Sequence, residues 1–262
     1  MVIEKTALPS QRKPAGGALR GLIQLGTWLG IASLVALFMS GAGTRLGLWV
    51  FGTGFSILRW SAYVGAAAAV LALIASIWLM VGRKQRPPVL LVVGLIAGFV
   101  AFWMPYSQQA KARSVPPIHD ITTDTQDPPL FQAILPLRAD ARNPPEYLGG
   151  EVTEQQLKAY PDIKPVILQA SPAQAFAAAT AVVESMGWAV AAAEAGEGRI
   201  EATDTTFWYG FKDDVVIRIR PEGTGSRLDI RSKSRVGRSD IGTNAARVRK
   251  FIAALEQQLP AA

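Results

Sequence analysis

The chemistry this sequence could support starts at His119, its only imidazole, which is followed by Asp120 and, four residues further on, by Asp124. A histidine beside carboxylates suits a general base or a metal ligand. Each version is short of partners. A serine triad needs a nucleophile on a sharp strand-to-helix turn, and the chain has no Gly-x-Ser-x-Gly. A metal site with one histidine would have to collect Asp124, Asp127, Asp213 or Asp214 from separated segments. The alternative is a ring that hydrogen-bonds backbone in an extended segment, and the residues favour it. No phosphate loop, dinucleotide fingerprint or calcium loop occurs, so neither a cofactor nor a metal is expected.

Two further segments are dense in functional groups. In the first, Arg235, Asp240, Asn244 and Arg247 surround Gly237 and Gly242 at the start of a predicted C-terminal helix. Asp240 can accept from the helix N-terminus, Asn244 can cap it, and Asp240 can pair with Arg235 or Arg247. The same groups would also suit the mouth of a carboxylate or phosphate pocket. In the second segment Phe207, Trp208, Tyr209 and Phe211 place four aromatics in five positions. That is excessive for a plain connection, and it suits covering a cavity, dipping toward lipid headgroups, or meeting a partner.

The elements that must position these groups are legible from Pro165 onward. A short strand over 165–169 is followed by Ser171-Pro172, an N-cap with proline in the first turn, and a helix to about Met186, stopped by Gly187. Phe176, Ala179, Val183 and Met186 define its buried stripe. Strands follow over 188–194, 199–206, 214–220 and 227–234, with Asp214 opening the third and Asp213 just before it. A last helix beginning near Gly242 turns Val248, Phe251, Ile252 and Leu255 inward. This order predicts an α+β fold, an antiparallel sheet covered by two helices, of which a helix-grip arrangement is one form. The charged side of the last two strands, with Arg218, Arg220, Arg227, Asp229, Arg231 and Lys233, reads as a solvated face with cross-strand ion pairs, or more sharply as an anion-binding face.

Upstream, residues 107–150 form a stretch with seven prolines between Ser114 and Gly150 that forbids continuous helix. Its Ile118, Ile121, Leu130, Phe131, Ile134 and Leu135 are too apolar for a free linker, so part of it should lie on the domain or add an edge strand. Before it, residues 21–40, 60–81 and 89–106 are apolar and uncharged over lengths that cross about 30 Å of hydrocarbon. The domain order is therefore a membrane anchor over 1–106, the extended segment over 107–150, and an extramembrane domain over 151–262.

The net charge of +7 does not indicate nucleic-acid binding. Residues 1–106 carry nine Lys/Arg against one acid, whereas 107–262 carry eighteen against nineteen. The excess flanks the spans and reads as a topology signal. Seven cations (Lys5, Arg12, Lys13, Arg20, Arg83, Lys84, Arg86) lie on one side, and four (Arg45, Arg59, Lys111, Arg113) on the other. This predicts a cytoplasmic N-terminus, a bacterial inner-membrane location and a periplasmic C-terminal domain. Uncharged spans argue against an ion path or transporter. Gly26/Gly30 and Gly94/Gly98 have the spacing of close helix contacts, used either inside one bundle or between copies of the chain.

The segments 116-PPIHDITTDTQDPPLF-131, 199-RIEATDTTFWYGFKDDVVIRIRP-221 and 231-RSKSRVGRSDIGTNAARVRKF-251, in this order, carry a resemblance. Over residues 115–259 the chain resembles an uncharacterised bacterial and plastid family, the one catalogued as domain of unknown function fourteen ninety-nine. The resemblance supplies no activity and no catalytic residue, and here the three spans would be an added anchor. The reading of the whole is an integral membrane protein whose α+β domain binds an apolar or lipid-like ligand or an envelope protein, without catalysis. The binding residues expected are Phe207, Trp208, Tyr209, Phe211, Asp213, Asp214, Arg235, Asp240, Asn244 and Arg247. The alternative is an envelope hydrolase or lyase using His119 and Asp120.

Overall fold

The computed structural model describes residues 16–259, so Lys5, Arg12 and Lys13 of the topology count lie outside the described residues. Two compact units emerge: residues 16–41 with Val50–Tyr106, and Ala42–Trp49 with residues 107–259.

The first unit is built on α1 (Gly16–Arg45), α2 (Phe51–Ile77, continued as a π-helical turn Trp78–Gly82) and α3 (Val89–Ser114). All three are long and apolar enough to cross a membrane. They outrun the uncharged windows at their ends, because a polar residue does not stop a helix; Arg59, expected in the connection between the first two spans, lies inside α2. The two glycine pairs are used within the bundle. A Cβ on Gly30 would sit 2.1 Å from the Gly94 carbonyl oxygen, one on Gly94 2.5 Å from Thr27 Cα, and one on Gly98 2.7 Å from the Gly65 carbonyl oxygen. Helix backbones approach this closely in lipid only where side chains are absent.

The second unit is a six-stranded antiparallel sheet in the order β1-β6-β5-β4-β3, with β2 pairing with β6 as well. The strands are β1 (Asp120–Thr122), β2 (Val166–Leu168), β3 (Ala189–Glu194), β4 (Arg199–Thr205), β5 (Lys212–Glu222) and β6 (Gly225–Ser234). The helices are α4 (Glu151–Ala159), α5 (Pro172–Ser185) and α6 (Thr243–Gln258). Ser171 caps α5 in a reciprocal box: Ser171 Oγ accepts from the Gln174 amide, and the Gln174 side chain accepts from the Ser171 amide. Val215, Ile217, Ile219, Leu228 and Ile230 line one face of the sheet. There they pack with Val182, Val183, Val248, Phe251 and Leu255 into a core that is almost wholly buried.

The opposite face corrects an expectation. Of the charged residues expected on a solvated face, Asp229, Arg231 and Lys233 are fully buried, as are Glu201 and Asp214 beside them, while Arg218, Arg220 and Arg227 are half-buried. The cross-strand ion pairing is present, as in Arg218 with Asp229. The Pro-rich segment lies over them, with β1 at its start and a 3-10 turn at Leu135–Arg138. Proline removes donors and prevents this cover from making its own ladder, so its main-chain groups turn to the sheet's side chains. Glu201 accepts from the amides of Gln132, Ala133 and Ile134 at 2.9–3.1 Å. Arg231 donates to the carbonyls of Pro129 at 3.2 Å and Pro145 at 2.8 Å, and Lys233 to that of Glu146 at 2.7 Å. Arg218 reaches the Asp127 carbonyl at 2.6 Å. The charges hold down a cover that has few hydrogen-bonding options of its own.

Candidate functional site

His119 and Asp120 stand where the chain enters β1. The Ser234 amide donates to the His119 carbonyl at 2.9 Å, and the Asp240 amide to the Ile118 carbonyl at 3.2 Å, which fixes this backbone against β6 and the loop before α6. β1 is an edge strand, and its free side is closed by the buried Gln156 of α4. That amide accepts from the Thr122 N–H at 3.1 Å and donates to the Thr122 carbonyl at 2.7 Å. Gly149 and Gly150, both at positive φ, turn the cover into α4. Leu148 and Val152, on either side of that turn, complete one wall of the site.

The result is a cleft of about 180 Å³ lined by Pro117, Ile118, His119, Asp120, Leu148, Val152, Lys233 and Arg238. In the register of the sheet, Asp120 faces Lys233. The Asp120 carboxylate accepts a bidentate pair from Arg231 at 2.9 and 2.8 Å and a third bond from Lys233 at 2.9 Å. Burial pushes the Lys233 ammonium below its ordinary value, while Asp120 pulls it back up. Arg231 is clamped between the rings of Phe131, at 4.9 Å, and Tyr147, at 5.5 Å. Asp120 and Lys233 are thus held rigidly, and with Arg238 the lining carries one more cation than anions when His119 is neutral.

His119 Nδ1 lies 3.3 Å from the Arg238 carbonyl. A carbonyl can only accept, so Nδ1 carries the hydrogen, and in the neutral ring Nε2 is a bare acceptor. Nε2 is buried and has no hydrogen-bond partner among the described residues. An unpaired buried polar atom costs about 1–3 kcal/mol. His119 Nε2 shares that status with Arg138 Nε, Gln155 Oε1, Tyr160 Oη and Arg218 Nε, and it alone of the five belongs to the lining of the cleft.

The other residues selected from the sequence lie elsewhere. Asp213 and Asp214 are neighbours on β5 and therefore point to opposite faces, so they do not converge with His119 and Asp120 on one centre. Asp214, on the covered face, pairs with Arg138, accepts from Arg235 at 2.9 and 2.8 Å, and accepts from Thr203 Oγ1 at 2.7 Å. Asp213, on the helix face, accepts from Arg247 at 2.7 Å, and Arg247 also reaches Asp204 at 2.8 Å. Arg235 and Arg247 thus make other ion pairs than the expected one with Asp240. The two Asp240 oxygens accept instead from the Gly242 and Asn244 amides at 2.8 and 2.6 Å. The cause is local: Ile241 and Gly242 both take positive φ, which folds these amides back onto the carboxylate. Asn244 does not cap the helix. Its amide donates to the His119 carbonyl at 3.0 Å and to Ser234 Oγ at 2.9 Å, and so positions the histidine's backbone.

The aromatic run forms the turn between β4 and β5. Trp208 meets Tyr209 edge-on at 5.1 Å, Tyr209 stacks on Phe211 at 5.3 Å, and Tyr209 is buried, whereas Phe207 is 91% exposed. Among the described residues, no three His, Asp or Glu side chains gather to hold a metal ion. Sequence reasoning missed Pro117, Ile118, Leu148 and Val152 as cleft residues, and reached Lys233 and Arg238 only through the anion-binding reading of the basic stretch. The one available signal was the run of five basic residues against one acid from Ser226 to Arg238.

A family model described as Protein of unknown function (DUF1499) matches residues 120–255, from the start of β1 into the last turns of α6. No curated protein matches the chain.

Proposed function

The chain belongs to the DUF1499 family, a membership that brings no activity with it, and so from the site alone we propose a membrane-anchored binding module. Its His119 cleft takes the anionic headgroup of a lipid-like ligand and holds it without catalysis. The observation that carries this is the composition of the cleft. Lys233 and Arg238 supply cationic donors, His119 Nε2 is an acceptor in want of a donor, and Pro117, Ile118, Leu148 and Val152 supply apolar walls. The monoanion of a phosphomonoester offers both an anionic oxygen and a hydroxyl, and matches that set. Size supports a headgroup rather than a whole lipid, because about 180 Å³ falls below the roughly 300–1,000 Å³ of drug-sized sites. The core between sheet and helices is filled by its own side chains, which favours the cleft over an interior lipid cavity.

Chain connectivity adds support. His119 is five positions beyond Ser114, the end of α3, so the histidine lies within about 18 Å of that helix end at any arrangement of the chain. On this reading the protein sits in a bacterial inner membrane with its N-terminus cytoplasmic and its domain periplasmic, as the Lys/Arg bias favours.

The test is calorimetric titration of the full chain in nanodiscs of zwitterionic lipid. Dihexanoyl phosphatidic acid is the probe, with dihexanoyl phosphatidylcholine and inorganic phosphate as comparators. The phosphatidic acid should bind, the phosphatidylcholine should not, and Arg238→Gln should weaken binding about tenfold or more, as loss of a charge-assisted hydrogen bond would. Failure of both anions to bind refutes the proposal, and release of phosphate from the probe converts it to the hydrolase reading.

A further inference from the structure

We propose that the turn between β4 and β5 is a membrane-interface anchor, with Phe207 seated among lipid headgroups and upper acyl chains. Phe207 is 91% exposed although the neighbouring aromatics pack on one another, so the turn presents one large apolar side chain outward. Arg45 fixes that presentation: its guanidinium donates to the Thr206 carbonyl at 2.8 Å and the Phe207 carbonyl at 2.6 Å, and lies 5.8 Å from the Phe207 ring centroid. Arg45 belongs to the Ala42–Trp49 segment that groups with the sheet domain, and it is also the last residue of α1, a helix apolar and long enough to be a span. Arg45 lies five residues past the uncharged window 21–40, so covalent connection holds it within about 8 Å of that window's end. Whatever it hydrogen-bonds is held there too.

Two neighbours extend the surface: Leu46 is 71% exposed and Leu48 63% exposed, in a connection that covalent structure confines to the same boundary. Phenylalanine and leucine side chains beside a cation are the composition of surfaces that lie in the membrane–water interface. Topology agrees. Two spans separate residue 49 from residue 107, an even number of crossings, which returns the chain to the side it left, and both segments belong to one compact unit. The occupant this selects is the bilayer itself.

The absence of cysteine makes the test clean. Phe207→Cys is labelled with a nitrobenzoxadiazole fluorophore in the full chain, reconstituted in phosphatidylcholine vesicles. Quenching by lipids carrying shallow doxyl groups is compared with quenching by iodide present on both sides. Thr224→Cys, in the turn at the other end of the eleven-residue β5, provides the control, roughly 35 Å away at 3.3 Å per residue. The label at 207 should emit to the blue, lose intensity to doxyl lipid and resist iodide, and the label at 224 should do the reverse. Equal iodide quenching at the two positions overturns the proposal. Protection from iodide without doxyl quenching overturns it equally, since it assigns the turn to a protein partner, and doxyl quenching at both positions denies the turn any special role.

Discussion

Arg231→Met is the perturbation that most sharply separates a buried charge layer from a solvated sheet face. Arg231 has no exposed surface, makes a bidentate pair with Asp120 at 2.9 and 2.8 Å, and donates to two proline carbonyls of the cover. Methionine fills much of the volume but strips Asp120 of two charged donors and leaves both carbonyls without a partner. Removing one member of a buried ion pair costs about 3–5 kcal/mol. Asp120 keeps Lys233, which argues for the lower part of that range, and the orphaned carbonyls argue for the upper part. For a domain of this size the change corresponds to a fall of roughly 10 °C in Tm. The assay is thermal and urea unfolding of the fragment Ser107–Ala262, followed by circular dichroism, with the unsubstituted fragment as reference. A solvated arginine would cost no more than about 0.5 kcal/mol, so a change that small would refute the burial argument.

A fragment beginning at Glu151 lacks the cover, and with it Arg138 on Asp214, the three amides on Glu201, and Asp120 together with the main-chain acceptors of Arg231 and Lys233. It should lose cooperative unfolding that the fragment from Ser107 retains, and equal melts would contradict the cover's role. Asp240 gives a pH dependence. Burial pushes its carboxyl above the ordinary 3.8, against the downward pull of the Asn244 and Gly242 amides. The fold therefore holds that proton more tightly than the unfolded chain does, and stability is lost as pH rises from 3.8 through the raised value. Asp240→Asn removes this loss, so its Tm should gain on that of the unsubstituted fragment across that interval, whereas a constant offset would speak against it. In cells, a reporter fused after Ala262 should be active only in the periplasm, and neutralising Arg83, Lys84 and Arg86 should give mixed orientation, read from the same reporter.

How far the sequence disclosed this architecture depended on the length of each signal. The spans were legible because a run of apolar residues without charge has few alternatives. The alternation in β5 and β6, the Ser171-Pro172 cap and the Gly187 stop were legible because each is a local rule. α4 was not, since EVTEQQLKA offers little beyond Val152 and Leu157 as an apolar stripe. β1 has three residues, too few for a period, and only the apolar isoleucines around it suggested an edge strand. Alternating charge on β6 looks the same whether water or a Pro-rich cover lies above it, and so the solvated reading failed. Of the cleft, the adjacent pair His119-Asp120 and the basic stretch ending at Arg238 could be seen separately; Leu148, Val152 and Lys233 join that pair through pairing with β6 and the turn at Gly149-Gly150.

The central claim is that His119 lines a binding cleft, and the chain's single histidine allows that claim to be tested directly. With isotope-labelled histidine, the full chain in nanodiscs gives one imidazole in the spectrum. At fixed pH, dihexanoyl phosphatidic acid should shift that resonance saturably, dihexanoyl phosphatidylcholine should leave it in place, and Arg238→Gln should move saturation to higher concentration. An imidazole that stays unmoved by phosphatidic acid and by inorganic phosphate, in a protein that remains folded, would contradict the account.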